Sequence, residues 1–338
     1  METDLVTVLV PAMNEEQFIG PCLDSILSQD HPNMQVLVVD GGSSDGTIGI
    51  VQRYAARDPR VTCLSSPGKT IPSSLNIGLQ AAEGKWLVRV DAHSTIPSGY
   101  IRRLVEHLRT GQWGGVGGRK DGVVTSSKGG AIAAALSSRF GVGNSTYHYG
   151  TSVQIVDHVP FGAYPTSLLR EIGGWDERLH ANEDFELDYR LRRQGQRLLF
   201  DPGVVIAWRN RETLGELFRQ YRRYGRGKAR VAMLHPRSLK ARHLATPALV
   251  GSWVLAAALA FRWPWFLLVV VPYAVALLLA SVLTSPNAQG QASWLDVAAA
   301  FLAMHVAWGI GFWEGVLGEI VRRLRASASR RVTSSSAP

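Results

Sequence analysis

The sequence predicts an α/β protein whose N-terminal part forms a mostly parallel, doubly wound sheet. Short valine-rich segments alternate with segments of helical character between residues 5 and 91. Two of the predicted strands end in aspartate, at Val36–Asp40 and at Trp86–Asp91. Because open parallel sheets bind ligands beyond the carboxyl ends of their strands, these two acids predict a nucleotide site.

The predicted elements of this first part follow one another in regular alternation. The predicted strands are 5–11, 36–40, 61–64 and 86–91, and the predicted helices are 14–27, 47–56 and 73–82. Glu15 and Glu16 suit the positive end of the first helix. The polar segment Gly41–Gly46 predicts a tight loop, after which Asp45 or Thr47 caps the second helix.

The next part of the chain has weaker periodicity and more glycine. It predicts an edge strand at 115–118, a helix near 131–140, a turn and short helix at 162–172, a strong helix at 183–193, short strands at 198–200 and 204–207, and an amphipathic basic helix at 214–230. We expect the glycine- and serine-rich loops between 111 and 160 to close over a substrate.

The composition changes near residue 244, where three long apolar stretches begin. They run over about 245–261, 265–283 and 297–313 and carry almost no charge. Stretches of this length and composition predict membrane helices, although a buried helical hairpin is the alternative. Tryptophans cluster near several of their ends, as at a membrane interface: Trp263, Trp265, Trp294, Trp308 and Trp313.

A dense basic run precedes the first apolar stretch. It consists of Arg219, Arg222, Arg223, Arg226, Lys228, Arg230, Arg237, Lys240 and Arg242, with no acid among them. By the positive-inside tendency this side is cytoplasmic, and the run suits anionic head groups or a pyrophosphate. Nucleic-acid binding is not expected, because the run is tied to a membrane segment.

The third apolar stretch has two possible topologies. A full third span would place the basic tail after Arg322 outside, against the positive-inside tendency, so an interfacial or re-entrant helix is the alternative. We therefore predict a catalytic domain at 1–235, a membrane domain of two to three hydrophobic helices at 236–325 and a disordered basic tail at 326–338.

Several motifs occur in a fixed order over residues 5–230. They are Val8–Glu15, Val39–Thr47, Asn76–Gly84, Val90–His93, Gly173–Asp176, Asn182–Asp184 and Gln220–Tyr224. In this order they resemble an inverting glycosyltransferase of family 2 with the GT-A fold. The pattern Asp-Ala-His, then Asn-Glu-Asp-Phe-Glu, then Arg-Gln-Tyr-Arg-Arg-Tyr-Gly looks closest to the succinoglycan-type exopolysaccharide branch.

The resemblance implies a nucleotide-sugar site at the first two strand ends. Pro11 and Glu15 correspond to residues that hold the base and ribose, and Asp40 is expected to accept from the uracil imide or a ribose hydroxyl. Asp40 capping the glycine loop is the alternative. The resemblance also places Lys69 near the nucleotide, although a lone lysine equally suits a solvated loop.

Asp91 and His93 occupy the position of the family's Asp-x-Asp motif, with histidine in place of the second acid. Residues two apart in a strand face the same side, so both are expected to reach one Mn2+ or Mg2+ ion that bridges the donor's phosphates. The alternative is that Asp91 binds the metal alone. Other histidines lie outside any metal-ligand spacing and are expected on loops or the surface: His148, His158 and His180.

Asp184 is the predicted catalytic base, and Glu183 is predicted to orient it or to bind an acceptor hydroxyl. An inverting transfer needs one carboxylate to accept the proton of the attacking hydroxyl. The segment 182–184 opens a predicted helix, whose positive end favours an ionised acid. The alternative role for Asp184 is helix capping.

Gln220, Arg223 and Tyr224 resemble the family's Gln-x-x-Arg-Trp motif, with tyrosine replacing tryptophan. On a helix all three share a face. The resemblance implies contacts with the diphosphate and the acceptor, for which arginine supplies bidentate bonds and tyrosine a stacking surface. The tyrosine and the modest membrane region favour a single transfer over processive synthesis.

These features together predict a multi-pass plasma-membrane enzyme with a cytoplasmic catalytic domain. It is expected to transfer a sugar from a UDP-sugar to a polyprenyl-diphosphate-linked or growing polysaccharide acceptor. Glucose is the leading candidate for the sugar. The alternatives are a polyprenyl-phosphate sugar transferase, a processive synthase and a non-catalytic scaffold that binds nucleotide sugars. Cys22 and Cys63 are too few for a disulfide framework and are expected as free thiols.

Overall fold

The computed structural model describes residues 4–68, 70–124, 126–288 and 292–335, with side chains as far as 325. Lys69 therefore lies outside the described residues. The chain forms two compact units. The sheet unit comprises the described residues up to Val123 together with Asn144–Asn210, and the helical unit comprises Val124–Gly143 together with the chain from Arg211 onward.

All strands of the described chain belong to the sheet unit. They are β1 (Val6–Ala12), β2 (Met34–Asp40), β3 (Val61–Ser65), β4 (Trp86–Arg89), β5 (Ser94–Thr95), β6 (Gly115–Val123), β7 (Gln154–Val156), β8 (Ala163–Pro165) and β9 (Leu198–Arg209).

The helices divide between the two units. Those of the sheet unit are α1 (Ile19–Leu27), α2 (Thr47–Arg57), α3 (Ile71–Ala81), α4 (Tyr100–Arg109), α7 (Thr166–Glu171) and α8 (Glu183–Arg193). Those of the helical unit are α5 (Ser127–Leu136), α6 (Arg139–Val142), α9 (Leu214–Leu234), α10 (Ala245–Ala260), α11 (Val270–Thr284) and α12 (Trp294–Ser335).

The strands form one sheet in the order β3-β2-β1-β4-β8-β6-β9-β5, with β7 also pairing with β9. The first four run parallel to one another, because a helix follows each of β1, β2 and β3 and returns the chain to the starting edge. β8 is antiparallel to both of its neighbours, β4 and β6, whereas β6 and β9 are parallel. The predicted α/β fold with a mostly parallel N-terminal sheet is confirmed.

Two apolar cores cover the faces of this sheet. Alternate residues of a strand point to opposite faces, so Val8 and Val10 belong to one core and Leu9 belongs to the other. Helices α1 and α4 close the first face, and α3 and α8 close the second. Burial on both faces explains why β1 and β2 are almost continuously apolar.

The first helix begins later than the sequence predicts. Residues 13–18 are loop and turn, and α1 starts at Ile19 in place of Asn14. Asn14 has a left-handed backbone, with φ of 57°, a conformation that asparagine tolerates and a helix excludes. The side chains of Asn14 and Glu16 bond a neighbouring loop instead of starting the helix.

Three predicted strand features also differ. The segment predicted as an edge strand, 115–118, is part of β6 in the interior of the sheet, between β8 and β9. The two predicted strands at 198–200 and 204–207 are one strand, β9, which passes a register shift opposite Gly118 and Arg119. The regular strand β4 ends at Arg89, so Asp91 lies two residues beyond it.

The three apolar stretches form α10, α11 and α12. By length and composition, Pro264–Asn287, which contains α11, and Trp294–Arg325 of α12 are long enough to cross a membrane, whereas α10 is shorter. α11 is almost wholly exposed, but half of the apolar window in α12 is buried. The described backbone of α12 is helical to Ser335, inside the segment predicted as a disordered tail.

Candidate active site

The loop after β1 is built on polar contacts with the loop after β2. Pro11 lies in β1 opposite Val39 of β2, so both loops emerge at one edge of the sheet. The Asn14 side chain accepts from the Ser44 N–H at 2.8 Å, and the Glu16 carboxylate accepts from the Gly46 N–H at 3.0 Å. These contacts order the edge of the sheet where the sequence predicts the nucleoside.

Asp40 is buried at the end of β2 and holds the glycine loop that follows. Its Oδ2 accepts from the backbone N–H groups of Gly42 at 2.8 Å and Ser43 at 3.0 Å, and its Oδ1 accepts from the Ser43 hydroxyl at 2.5 Å. Asp40 thus has the loop-capping contacts of the alternative interpretation. Its predicted contact with the nucleoside stays a prediction.

Glu15 and His93 form a pair across two loops. The Nδ1 atom of His93 lies 3.0 Å from Oε1 of Glu15, and the imidazole ring packs at 5.6 Å from the ring of Trp208. A carboxylate at Nδ1 selects the imidazole tautomer that carries its proton there, which leaves a lone pair on Nε2. Glu15 therefore orients His93, a relationship that the sequence motifs do not reveal.

Arg89 is the centre of a buried cluster of three acids. Its Nε donates to Oδ1 of Asp91 at 3.0 Å, and its Nη1 donates to Oδ1 of Asp184 at 2.7 Å. The same Nη1 lies 3.3 Å from Oε1 of Glu183. The guanidinium side chain is only 4% exposed. One arginine thus joins the predicted metal ligand Asp91 to the predicted base Asp184.

Asp184 has one fully engaged oxygen. Its Oδ1 accepts from Arg89 and also from the indole Nε1 of Trp175 at 3.0 Å. No hydrogen bond from a described residue reaches Oδ2. Glu183 and Asp184 are the first two residues of α8, where the helix dipole favours negative charge. Asn182 before them does not cap the helix with its side chain; it has a left-handed φ of 63°.

The cluster changes the proton affinities of two of its members. Burial opposes the charge on Arg89, but Asp184, Asp91 and Glu183 hold the pKa of the guanidinium well above its usual range. Burial, together with the neighbouring charge of Asp184, raises the pKa of Glu183. Arg89 is therefore a permanent cation, and Glu183 takes up a proton more readily than an exposed glutamate does.

A second buried carboxylate, Asp188 of α8, holds the loop that contains His158 and Val159. Asp188 accepts from Nδ1 of His158 at 2.7 Å, from the N–H of Val159 at 2.8 Å and from the hydroxyl of Tyr164 at 3.1 Å. Burial raises the pKa of Asp188. His158 lies on a loop, as expected, and its bond to Asp188 anchors this loop to the helix that carries Asp184.

Sequence reasoning missed Arg89, although one signal was available. Arg89 is the single charge within the apolar strand Trp86–Val90. A charged side chain in a strand buried on both faces needs a partner of opposite charge, and the acids at 91, 183 and 184 meet that need. Trp175 lies within the motif Gly173–Asp176, but no local pattern reveals that its indole bonds Asp184.

The predicted acceptor set lies in the helical unit. Gln220, Arg223 and Tyr224 are all on α9, and the Gln220 side-chain amide donates to the Tyr224 hydroxyl at 3.0 Å. Arg223 is exposed, whereas Gln220 is buried. The helical spacing thus places Gln220 and Tyr224 on one face, and the role of the set in binding stays a prediction.

Comparison with known proteins agrees with this fold. A mannosyltransferase from Pyrobaculum calidifontis, solved in complex with GDP-Man and Mn2+, superposes with a TM-score of 0.60 at 23% identity, covering 89% of this chain and 86% of its own. The fold is therefore the GT-A fold of glycosyltransferases that use nucleotide sugars. The family model for glycosyl transferase family 2 matches residues 7–168.

Two curated relatives extend the match beyond that segment. The succinoglycan biosynthesis protein ExoA of Rhizobium meliloti is 32% identical over 315 residues, 92% of this chain and 94% of the relative. A dolichyl N-acetyl-alpha-D-glucosaminyl phosphate 3-beta-D-2,3-diacetamido-2,3-dideoxy-beta-D-glucuronosyltransferase of Methanococcus voltae is 23% identical over 235 residues, 67% of this chain and 73% of the relative. The chain belongs to glycosyltransferase family 2 and is a glycosyltransferase.

Proposed function

We propose that the protein is a metal-dependent inverting glycosyltransferase of exopolysaccharide assembly. It transfers one sugar, glucose first among the candidates, from a UDP-sugar to a lipid-linked or growing saccharide. The observation that carries the mechanism is the fixed carboxylate of Asp184, which keeps one oxygen on Arg89 and Trp175 and has the other left to accept a proton.

Asp184 acts as the general base. Its Oδ2 accepts the proton of the acceptor hydroxyl while the hydroxyl oxygen forms a bond to the anomeric carbon of the donor. The bond from that carbon to the diphosphate oxygen breaks on the opposite face, and the nucleoside diphosphate leaves with the bonding electrons. Attack opposite the leaving group inverts the anomeric configuration.

Arg89 is a positioning residue for this step. It holds Oδ1 of Asp184 with a short charge-assisted bond and holds Asp91 through another of its nitrogens. The base and the predicted metal ligand are thereby kept at fixed separation. Glu183, which shares the same guanidinium, supports the orientation of the base.

Asp91 and His93 are the residues proposed to hold a divalent metal. Among the described residues, no group of three or more histidine, cysteine, aspartate and glutamate side chains is arranged to hold a metal ion. The two proposed ligands fit a cation whose other ligands come from a diphosphate and water, since such cations keep few protein ligands. When bound, the metal neutralises charge that develops on the departing diphosphate.

The names of the two relatives bear on the proposed acceptor. The relative from Rhizobium meliloti is named for succinoglycan biosynthesis, and the relative from Methanococcus voltae is named for transfer to a dolichyl-linked saccharide. The first name favours exopolysaccharide assembly, and the second favours an acceptor carried on a polyprenyl lipid. Pro11, Glu15, Asp40 and Lys69 are proposed for the UDP moiety, and Gln220, Arg223 and Tyr224 for the acceptor or its diphosphate.

The protein is proposed to be a multi-pass protein of the plasma membrane. Its catalytic domain at 1–235 lies in the cytoplasm, and its membrane domain is at 236–325. The exposed apolar surface of α10 and α11 supports insertion into lipid. The basic run of α9, next to the first apolar helix, supports the cytoplasmic side.

A donor panel tests the proposed function. Purified full-length protein in detergent is given UDP-glucose, UDP-galactose, UDP-N-acetylglucosamine and GDP-mannose, with Mn2+ or Mg2+ and a glycosylated polyprenyl diphosphate as acceptor. We expect metal-dependent release of UDP and a product one sugar longer. Transfer to bare polyprenyl phosphate would instead identify a carrier-priming enzyme, a long polymer would identify a processive synthase, and donor binding without any transfer would identify a scaffold.

A further inference from the structure

Helices α9 and α12 of the helical unit pack with their backbones in contact. A Cβ atom built on Gly225 of α9 would lie 2.1 Å from the carbonyl oxygen of Trp308, and one built on Gly311 of α12 would lie 2.0 Å from the carbonyl oxygen of Arg222. Further along, a Cβ on Gly315 would meet the carbonyl oxygen of Arg226 at 2.8 Å. Only glycine permits so close an approach.

Ion pairs continue the same contact in the same direction. Arg222 and Arg226 of α9 both bind the carboxylate of Glu314, Arg222 through Nε at 2.9 Å and Arg226 through Nε at 2.6 Å. Near the end of α9, the Arg323 guanidinium donates to the carbonyl oxygen of Met233 at 3.2 Å. The contact pairs 222 with 311, 226 with 315 and 233 with 323 rise together in number, so α9 and α12 run parallel to each other.

One face of the first half of α12 is covered by protein. Its buried residues pack with α5, with Leu217 of α9 and with Leu277 and Ala280 of α11; they are Val297, Ala300, Phe301 and Met304. His305 continues this contact, since its Nε2 lies 2.8 Å from the carbonyl oxygen of Phe140 in α6. This half of α12 therefore has neighbours from segments that are not apolar enough to enter a bilayer.

α9 cannot cross hydrocarbon. Its central turns carry six cations: Arg219, Arg222, Arg223, Arg226, Lys228 and Arg230. Arg219, Arg223 and Arg226 are exposed, and charged groups at membrane depth are strongly disfavoured unless they face protein or water. Since α12 lies along α9 over most of the length of α9, the two helices lie at the same depth.

The outer face of α12 has the pattern of a helix that lies in a membrane surface. Leu317, Ile320, Val321 and Leu324 are exposed and follow one another at helical spacing. Arginines at 322, 323 and 325 lie among them in the sequence. An apolar stripe beside cationic side chains is typical of interfacial amphipathic helices, whose basic residues meet anionic head groups.

We propose that α12 does not span the bilayer but lies with α9 along the membrane surface, although α12 alone is long and apolar enough to cross. Only the hairpin 245–288 inserts, entering through α10 and returning through α11. No apolar segment separates the sheet unit from α9 along the chain. The C-terminal tail therefore lies on the same side of the membrane as the sheet unit.

Protease protection tests this arrangement. The full-length chain carries one epitope before Met1 and another after Pro338, and it is expressed in bacterial membranes that are prepared as right-side-out and inside-out vesicles. We expect both epitopes to be lost to protease in the same vesicle preparation and retained in the other. Loss of the two epitopes in opposite preparations would overturn the proposal, as would release of the protein from membranes by alkaline carbonate.

Probe depth supplies a second test that does not need the termini. In a Cys63→Ser background, Leu317→Cys in α12 and Leu278→Cys in α11, both at exposed positions, are labelled with a fluorescent maleimide. The probe at 317 is expected to be quenched mainly by lipids that carry a nitroxide near the head group, and the probe at 278 by lipids that carry it deep in the chain. Equal deep quenching of both probes would show that α12 spans. Either result leaves the proposed transfer reaction unaffected, because that reaction is measured in detergent.

Discussion

The Nη1 atom of Arg89 lies 2.7 Å from Oδ1 of Asp184; the arginine side chain is 4% exposed and the aspartate side chain 13%. Asp184 therefore cannot rotate freely, because the same oxygen is also bonded by the indole of Trp175. In the proposed reaction, Asp184 presents a single oxygen, Oδ2, to the acceptor. Orientation of this kind lowers the entropy lost at the transition state.

Replacement of Asp184, the proposed base, tests the chemical step. We expect Asp184→Asn to lower kcat by about 100- to 10,000-fold, the usual contribution of general base catalysis, because the amide still bonds Arg89 but cannot accept the proton. Donor affinity, measured by calorimetry, should change little. Glu171→Gln, at an exposed position of α7, is the control and should keep full turnover. Unchanged turnover in Asp184→Asn would refute its role as base.

Replacement of Arg89 tests its positioning role. Arg89→Lys keeps a charge but loses the planar fork, so we expect kcat to fall by at least about tenfold while the KM for the donor changes less. Addition of guanidinium to Arg89→Ala should restore part of the lost turnover, which a merely structural role would not produce. Breaking a buried ion pair destabilises by about 3–5 kcal/mol, so thermal melting must show that the variant is folded. Absence of both rescue and a kcat effect in a folded variant would exclude the role.

Glu15 is expected to affect metal binding indirectly, because it orients His93, a proposed metal ligand. We expect Glu15→Gln to raise the metal concentration for half-maximal turnover by about 10- to 100-fold, the range for partners that orient a metal-binding histidine. His93→Ala should raise it at least as much. Glu83→Gln, at an exposed position after α3, is the control. If both variants kept the wild-type metal requirement, Asp91 alone of the two proposed ligands would bind the metal.

Asp201 predicts a pH-dependent contribution to stability. Burial raises the pKa of this carboxyl, but bonds from Arg103, His107 and the Gly203 N–H outweigh burial and hold the pKa at about 2, below the ordinary 3.8. Because the folded-state pKa is lowered, the stabilisation is complete above pH 4 and is lost as the pH falls toward 2. The pKa difference corresponds to about 2 kcal/mol.

Asp201→Asn should therefore lower the free energy of unfolding by about 2 kcal/mol at pH 7, and the difference from wild type should shrink between pH 4 and pH 2. Urea unfolding in detergent at several pH values measures both quantities. Asp121→Asn is the control, since Asp121 is bonded to Arg119 but about half exposed, and pairs of this kind contribute little. A pH-independent difference would mean that packing, and not charge, explains the effect of Asp201→Asn.

The glycines of α12 allow a matched comparison of stability. Gly311→Ala forces a Cβ against the backbone of Arg222 and is expected to cost about 1–3 kcal/mol, as overpacking does. A methyl group at Gly318 would have no other atom within 4 Å, so Gly318→Ala should stabilise the helix by up to about 1 kcal/mol. Thermal unfolding in detergent separates the two variants. Equal effects would mean that α9 and α12 do not touch in the detergent-solubilised protein.

Local signals in the sequence predict some elements of this fold closely. The helix predicted at 183–193 is α8, because acids at its first turn and arginines at its last turn mark both ends. The strand predicted to end at Asp40 does so, because a glycine loop follows directly. The resemblance to family 2, drawn from ordered motifs, is confirmed by the family model and by a relative that spans almost the whole chain.

Long-range pairings could not be predicted in the same way. β8 has three residues and lies antiparallel between β4 and β6, yet nothing in its own periodicity reveals these neighbours. The same holds for the bond between Arg89 and Asp184, which are 95 positions apart in sequence. The motifs therefore predict which residues matter, whereas the contacts that orient them depend on the folded sheet.

The reciprocal bonds between the loop at 13–16 and the loop at 43–47 have a consequence for the proposed binding of a nucleotide at this edge of the sheet. Asn14 and Glu16 bond the second loop, while Ser43 and Asp45 accept N–H groups of the first. The two loops are thus ordered without any ligand. At the proposed nucleotide site, these loops therefore have little conformational entropy left to lose on binding, so more of the contact energy contributes to affinity.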